Sequence, residues 1–248
     1  MPILENIELT LLLIFAAAGT SFITAAMGIG GGVLLLVILA SFLPASALIP
    51  VHGLVQLGSN GNRAIVTRQH IDWEMVISFS IGALIGSALA SLIVVQLPLT
   101  FIQISVALFI LFLVWGPKPG THQMSKNGLV VAGASTTFAS IFVGATGPLV
   151  AGLVHRQNYD KHSSTANFAT CMSMQHLLKI FVFSFVGFAF WQWLPLILLM
   201  IFGGMVGTWL GLKMLNRIPD KQFKMLFKTV ITILALRLLW QAGTSFLG

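Results

Sequence analysis

Four stretches of this chain, residues 9–27, 75–95, 99–115 and 223–247, are apolar over lengths that let each cross a bilayer. About 30 Å of hydrocarbon takes about 20 helical residues. Inside hydrocarbon a segment must satisfy its own backbone hydrogen bonds, which a helix does. Several such stretches exclude a single membrane anchor and predict an all-α polytopic membrane protein. Composition agrees: of 248 residues 57% are hydrophobic and 8% charged, against about 25% charged in soluble domains. Thirteen Lys and Arg stand against six Asp and Glu. In a soluble protein that excess would suggest nucleic acid, but here the basic residues sit between hydrophobic spans, where orientation in the membrane explains them. The bilayer, with no nucleic acid, is the expected partner. The first residues, Met-Pro-Ile-Leu-Glu-Asn, carry no basic run, so the first stretch is expected to be a permanent span rather than a cleaved signal. Cys171 stands alone and no Cys/His spacing suits zinc or haem, so no disulfide, metal or cofactor is expected.

Hydropathy predicts 8–10 membrane segments, near 9–27, 29–43, 48–67, 75–96, 99–116, 128–145, 147–156, 163–188, 193–213 and 223–246. The second and seventh are short and either span or turn back. Arg68 and His70, then Lys118 and Lys126, Arg156 and Lys161, and Lys213, Arg217 and Lys221 fall after the third, fifth, seventh and ninth segments. The connections near 44–46, 96–99, 145–146 and 189–192 carry neither Lys nor Arg. The positive-inside rule makes the basic side cytoplasmic and both termini extracytoplasmic.

Laid on itself, the chain pairs Gly28-Ile-Gly-Gly-Gly with Gly144-Ala-Thr-Gly-Pro at an offset of 116, which also pairs Arg63 with Lys179. At an offset of 121, Gly82-Ala-Leu-Ile-Gly86-Ser-Ala-Leu-Ala90 pairs with Gly203-Gly-Met-Val-Gly207-Thr-Trp-Leu-Gly211, and Leu97-Pro98 with Ile218-Pro219. Five segments per half is odd, so the second copy inserts upside down, the inverted repeat typical of secondary transporters. The expected organisation is a first repeat over 1–117, a basic cytoplasmic linker over 118–127 and a second repeat over 128–248. The small residues at four-residue spacing form one smooth stripe per helix, suited to close packing.

Gly28, Gly30 and Gly31 would break a helix beside apolar runs, and free N–H groups at such a break can hold an anion. Gly144, Thr146 and Gly147 repeat the arrangement, with Thr24 close to the first break in sequence. His52, Gln56, Ser59, Asn60 and Arg63 follow at i, i+4, i+7, i+8 and i+11, one helical face. In lipid such a face must turn inward. The paired segment offers Asn167, Cys171, Gln175, His176 and Lys179, again with its cation at the far end. Two inverted copies would bring Arg63 and Lys179 towards one cavity, and an anionic substrate explains both. His52 and His176 are candidates for proton coupling. Structural readings stand beside these: tight glycine hairpins made for packing, an Arg63 that snorkels to headgroups, and histidines merely hydrogen-bonded within a bundle. Asp72-Trp73 reads as an interface anchor, and Arg237 beside Trp240 as snorkelling outward. No HExxH, GxSxG, Walker A or dinucleotide fingerprint occurs in a supporting context. Cys171 and His176 lie five residues apart, so they diverge on a helix. No enzyme is expected.

The early Ala-Met-Gly-Ile-Gly-Gly-Gly, Arg68-Gln-His-Ile-Asp72-Trp73, Gly82-Ala-Leu-Ile-Gly86 and Leu234-Ala-Leu-Arg237-Leu-Leu-Trp240 resemble the sulfite exporter TauE/SafE family over nearly the whole chain. The resemblance implies a polytopic protein of the bacterial inner membrane with two homologous halves. It further implies a carrier for sulfite, sulfonates or related sulfur-containing anions, secondary and coupled to a proton or sodium ion. Two departures stand out: Gly-Ala-Thr-Gly-Pro replaces a second Gly-x-Gly-Gly-Gly, and Phe190-Trp191 replaces a second Asp-Trp. Thr146 and Pro148 would then line the second half of the site. The alternative reading is a passive anion channel. Exact substrate, direction, coupling ion and oligomeric state are not encoded in any motif.

Overall fold

A computed structural model describes residues 6–94 and 123–215, with isolated residues between 104 and 116 and between 229 and 243. Its regular elements are helices throughout: α1 Ile7–Met27, α2 Gly31–Ala40, α3 Ala45–Val66, α4 Trp73–Val94, α5 Lys126–Val143, α6 Gly147–His155, α7 Lys161–Phe185 and α8 Leu194–Lys213. Short 3-10 turns, Arg68–His70 and Phe190–Gln192, precede α4 and α8. No strand occurs among the described residues. Most of the segments expected at 99–116 and 223–246, the Leu97-Pro98 pairing, and Lys118, Arg217, Lys221 and Arg237 lie outside the described residues.

Side-chain caps set several boundaries. Asn6 Oδ1 accepts from the Leu9 N–H at 3.0 Å and starts α1. Ser125 Oγ accepts from the Gly128 N–H at 3.2 Å, so α5 begins at Lys126, inside the expected linker. Asp160 Oδ1 accepts from the N–H groups of His162 and Ser163 at 2.7 and 3.0 Å, which starts α7 two residues before the hydropathy boundary. Such caps satisfy orphan donors that hydropathy does not register.

Helices α1, α4, α7 and α8 are each long and apolar enough to cross a membrane. The 10 residues of α2 and 9 of α6 rise by about 15 Å or less, so neither crosses hydrocarbon alone. Between α1 and α2, Gly28 (φ 81°) and Gly30 (φ 109°) take backbone conformations that side chains resist. The chain then folds back: a Cβ on Gly31 would stand 1.7 Å from the Thr20 carbonyl oxygen. The turn over residues 41–44 reverses it again, setting His52 of α3 across from Gly32 of α2. Gly144 (φ 83°) separates α5 from α6.

Helix pairing follows the small-residue stripes. A Cβ on Gly82 or Gly86 of α4 would lie 1.9 Å from the Val130 or 2.1 Å from the Ala134 carbonyl oxygen of α5. On Gly203, Gly207 or Gly211 of α8 it would meet Ile14, Ala18 or Phe22 carbonyl oxygens of α1 at 2.9, 2.0 and 2.5 Å. Backbone therefore rests on backbone in both pairs. Helices α3 and α7 pack against each other between these pairs. Leu84 of α4 and Phe202 and Trp209 of α8 point outward and are more than half exposed, with Ile81 close to half, the surface a lipid-facing helix needs.

Candidate functional site

The polar faces of α3 and α7 are buried against each other. His52, Gln56, Ser59, Asn60 and Arg63 are each at most 6% exposed, and Asn167, Cys171, Gln175, His176 and Lys179 at most 1%. At the centre the His52 and His176 rings meet edge to face with centroids 5.9 Å apart. His52 Nε2 lies 2.8 Å from the Gly32 carbonyl oxygen. A carbonyl only accepts, so Nε2 carries the ring proton. Both ring nitrogens of His176 and the Nδ1 of His52 find no partner among the described residues.

These two rings line a cavity of about 20 Å³, room for about one water molecule. Of the other residues expected at a site, Thr24, Gly30, Gln56, Asn60, Gly147 and Pro148 line it, joined by Phe168 and Met172. The first glycine break and the start of α6 thus meet at one place. Gly28 turns the chain, and Gly31 is pressed against Thr20.

The two cations expected to turn towards one cavity stand behind it rather than in its wall. Lys179 Nζ donates to the Gly144 carbonyl oxygen at 2.6 Å. Its stem passes Gly53, where a Cβ would sit 3.0 Å from Lys179 Cδ. Arg63 Nη1 donates to Asn60 Oδ1 at 3.0 Å. That contact fixes the Asn60 amide, whose Nδ2 donates to Gln56 Oε1 at 3.0 Å and to the Gln56 carbonyl at 2.9 Å. Because Arg63 is donor-only, the order runs one way: Arg63 to Asn60 to Gln56, leaving the Gln56 NH2 as the end not consumed. Both cations contact neutral acceptors, and no acid pairs with either among the described residues.

The remaining expected residues brace the seam. Ser59 Oγ and Ser21 Oγ are 2.8 Å apart. Thr146 Oγ1 donates to Gln175 Oε1 at 2.9 Å, and Gln175 Nε2 donates to Thr136 and Thr137 hydroxyls at 2.9 and 3.0 Å. Thr136 and Thr137 belong to no glycine or polar-face motif, although they stand 116 residues after Thr20 and Ser21, the repeat offset. Asn167 sits away from the cavity: its Oδ1 accepts from the Asp72 N–H at 2.8 Å and its Nδ2 donates to the Ser163 carbonyl at 2.9 Å. Asp72 is more than an interface anchor, since it caps α4 through the Met75 N–H at 3.1 Å and accepts from the Tyr159 hydroxyl. The Tyr159 hydrogen bond, helped by backbone N–H groups of Met75 and Glu74, holds the Asp72 carboxyl below its usual range. Cys171 lies buried with its Sγ 3.8 Å from Met75 Sδ.

What this arrangement can do is present a few oriented polar groups, backed by buried positive charge, to a small polar guest between helices. Comparison with curated proteins and with solved structures finds no match. The family model described as "Sulfite exporter TauE/SafE" matches residues 11–238, a span running from α1 past α8 and including both glycine turns and every cavity residue. A multi-pass helical protein matched over nearly its full length, this chain belongs to the sulfite exporter TauE/SafE family of membrane transporters.

Proposed function

We propose that the chain is a secondary transporter moving a small sulfur-containing anion, sulfite or an organosulfonate, across the bacterial inner membrane by alternating access. The observation that carries the reading is the cavity between α3 and α7, where His52, Gln56, Asn60 and His176 converge in front of two buried cations. An unpaired buried charge is costly, and an anion at the cavity offsets both Arg63 and Lys179. Thr24 and the backbone at Gly30 and Gly147 complete the site, Gly28, Gly31 and Gly144 shape the turns around it, and Ser59, Thr146 and Gln175 brace it, while Asn167 holds the Asp72 backbone outside it. His52 and His176 are the coupling groups if the driving ion is a proton; sodium is the other candidate.

The two halves, 1–117 and 128–248 joined by a cytoplasmic linker over 118–127, act as inverted repeats that rock about this site, with both termini extracytoplasmic. Reciprocal packing supports this. α4 of the first half rests on α5 of the second, and α8 of the second on α1 of the first. The contacted residues, Ile14 and Val130, Ala18 and Ala134, stand at the same offset of 116 as the glycine motifs. Each half thus lends the other its small-residue helix. A carrier is favoured over a channel because the room at the histidines takes about one water. A sulfur oxyanion has at least four heavy atoms, so loading must spread α2 and α6 rather than follow a standing aqueous path.

Thermal-shift and proteoliposome flux measurements with sulfite, thiosulfate, taurine, sulfoacetate, sulfate and acetate test the proposal on wild type, Arg63→Ala and Lys179→Ala. Saturable flux of a sulfur oxyanion, lost or strongly weakened in the variants, is the expected result. No response to any anion, or unchanged flux in both variants, would sink the site.

A further inference from the structure

The cavity is built for donors and acceptors together, and this bears on which protonation state of the anion it takes. His52 is committed by its neighbour: with the Nε2 proton on the Gly32 carbonyl at 2.8 Å, a neutral ring leaves a bare lone pair at Nδ1. That atom is buried and has no partner among the described residues, in a side chain 1% exposed that lines the cavity. His176, also 1% exposed and on the cavity wall, has both nitrogens without partners among the described residues. Neutral, it presents one N–H and one lone pair. Gln56 contributes donors, because Arg63 through Asn60 turns its carbonyl inward to the network and leaves its NH2. An anion with acceptor oxygens only satisfies Gln56 and one nitrogen of His176. It leaves the His52 lone pair facing another lone pair.

The geometry points to an occupant that brings its own proton: a monoprotonated oxyanion, hydrogensulfite in the sulfite case, with its hydroxyl on His52 Nδ1 and its other oxygens on the Gln56 amide and a His176 N–H. This rests on the transport reading above and narrows it. Sulfate and simple alkanesulfonates such as methanesulfonate, which offer no donor near neutral pH, are poor fits, and each transported anion moves with one proton. The titratable groups facing His52 are His176 and Lys179 of α7; α2, packed on the ring through Gly32, has none.

The test uses the purified full chain in proteoliposomes at equal pH on both sides, with membrane potential clamped, measuring KM for total sulfite across the anion's own protonation range. The expected KM is flat in acid and rises by about tenfold per pH unit once the anion loses its proton. With selenite, whose monoprotonated form persists to higher pH, the break moves upward with the anion. Methanesulfonate competes at least about tenfold more weakly than hydrogensulfite, the scale set by one unpaired buried polar atom. His52→Leu removes the Nδ1 acceptor together with the donor to Gly32, so preference for hydrogensulfite over methanesulfonate collapses towards parity. Should that variant not fold, the wild-type comparison decides alone. A KM that ignores the anion's titration, a break fixed at one pH for sulfite and selenite alike, or equal competition by methanesulfonate overturns the inference and leaves transport standing. Absence of saturable anion flux in wild type overturns both.

Discussion

Replacing Gly207 by alanine puts a methyl group where α8 meets the backbone of α1. The added Cβ would lie 2.0 Å from the Ala18 carbonyl oxygen, 2.7 Å from its carbon and 3.0 Å from its Cα. Non-bonded heavy atoms settle at about 3.5 Å or more, so the helices must part by about an ångström or the backbone must bend. A Cβ on Gly203 or Gly211 would meet the same face of α1 at 2.9 and 2.5 Å, so separation loosens three turns rather than one. A gap of 0.5–1 Å already forfeits about a quarter to a half of each dispersion contact, and overpacking of this kind costs about 1–3 kcal/mol. Gly19→Ala is the control: the same substitution in α1, with nothing within 4 Å of the new atom, gains about 0.5–1 kcal/mol of helix propensity. Thermal unfolding in detergent, followed by tryptophan fluorescence, should place Gly207→Ala several degrees below Gly19→Ala, at about 2–4 °C per kcal/mol. Gly86→Ala, whose Cβ would meet the Ala134 carbonyl oxygen at 2.1 Å, should fall by a similar amount. Equal midpoints for Gly207→Ala and Gly19→Ala would refute the backbone-on-backbone account of this interface.

Lys179→Met strips Gly144 of its hydrogen bond, a loss of about 1–3 kcal/mol, but also removes a buried ammonium whose desolvation costs several kcal/mol. The second effect is larger, so the unfolding midpoint should hold or rise while anion response disappears; a lower midpoint would make Lys179 a structural residue. Asp72 has a carboxyl held below its usual range by the Tyr159 hydroxyl, so its contribution to stability is present above about pH 4, the ordinary carboxylate value, and is lost as pH falls through the lowered one. Asp72→Asn should therefore unfold at lower temperature than wild type at neutral pH, with the gap closing in acid; a gap independent of pH would contradict this. Cys171, 0% exposed, should resist N-ethylmaleimide in the native protein and react once unfolded, read by mass spectrometry.

Helix positions were legible because hydrocarbon imposes length and composition together: 75–96 by hydropathy became Trp73–Val94, and 193–213 became Leu194–Lys213. The polar faces of α3 and α7 were legible for the same reason, since ten polar or sulfur-bearing side chains at helical spacing have no place against lipid. Helix partners were not. The outward Ile81 and Phe202 match the inward side chains in chemistry, so hydropathy cannot say which helix meets which. The small-residue stripes named the faces of α4 and α8 but not α5 and α1 as their partners. The position of the cations also escaped the linear pattern. Lys179 reaches Gly144 past Gly53, where a Cβ would stand 3.0 Å from its stem, a clearance set by tertiary packing. Sequence spacing put Asn167 on the same face as Lys179. Only the fold shows it turned to the Asp72 backbone instead of the cavity.

The central claim is that one small anion at a time is carried between α3 and α7, and counterflow tests it most directly. Proteoliposomes loaded with unlabelled sulfite and diluted into a trace of 35S-sulfite should show transient accumulation of label above equilibrium, saturable in sulfite and absent in Gln56→Ala and His176→Ala. Label that only equilibrates, at a rate indifferent to internal sulfite and rising without saturation, would identify a conducting pore and contradict the account.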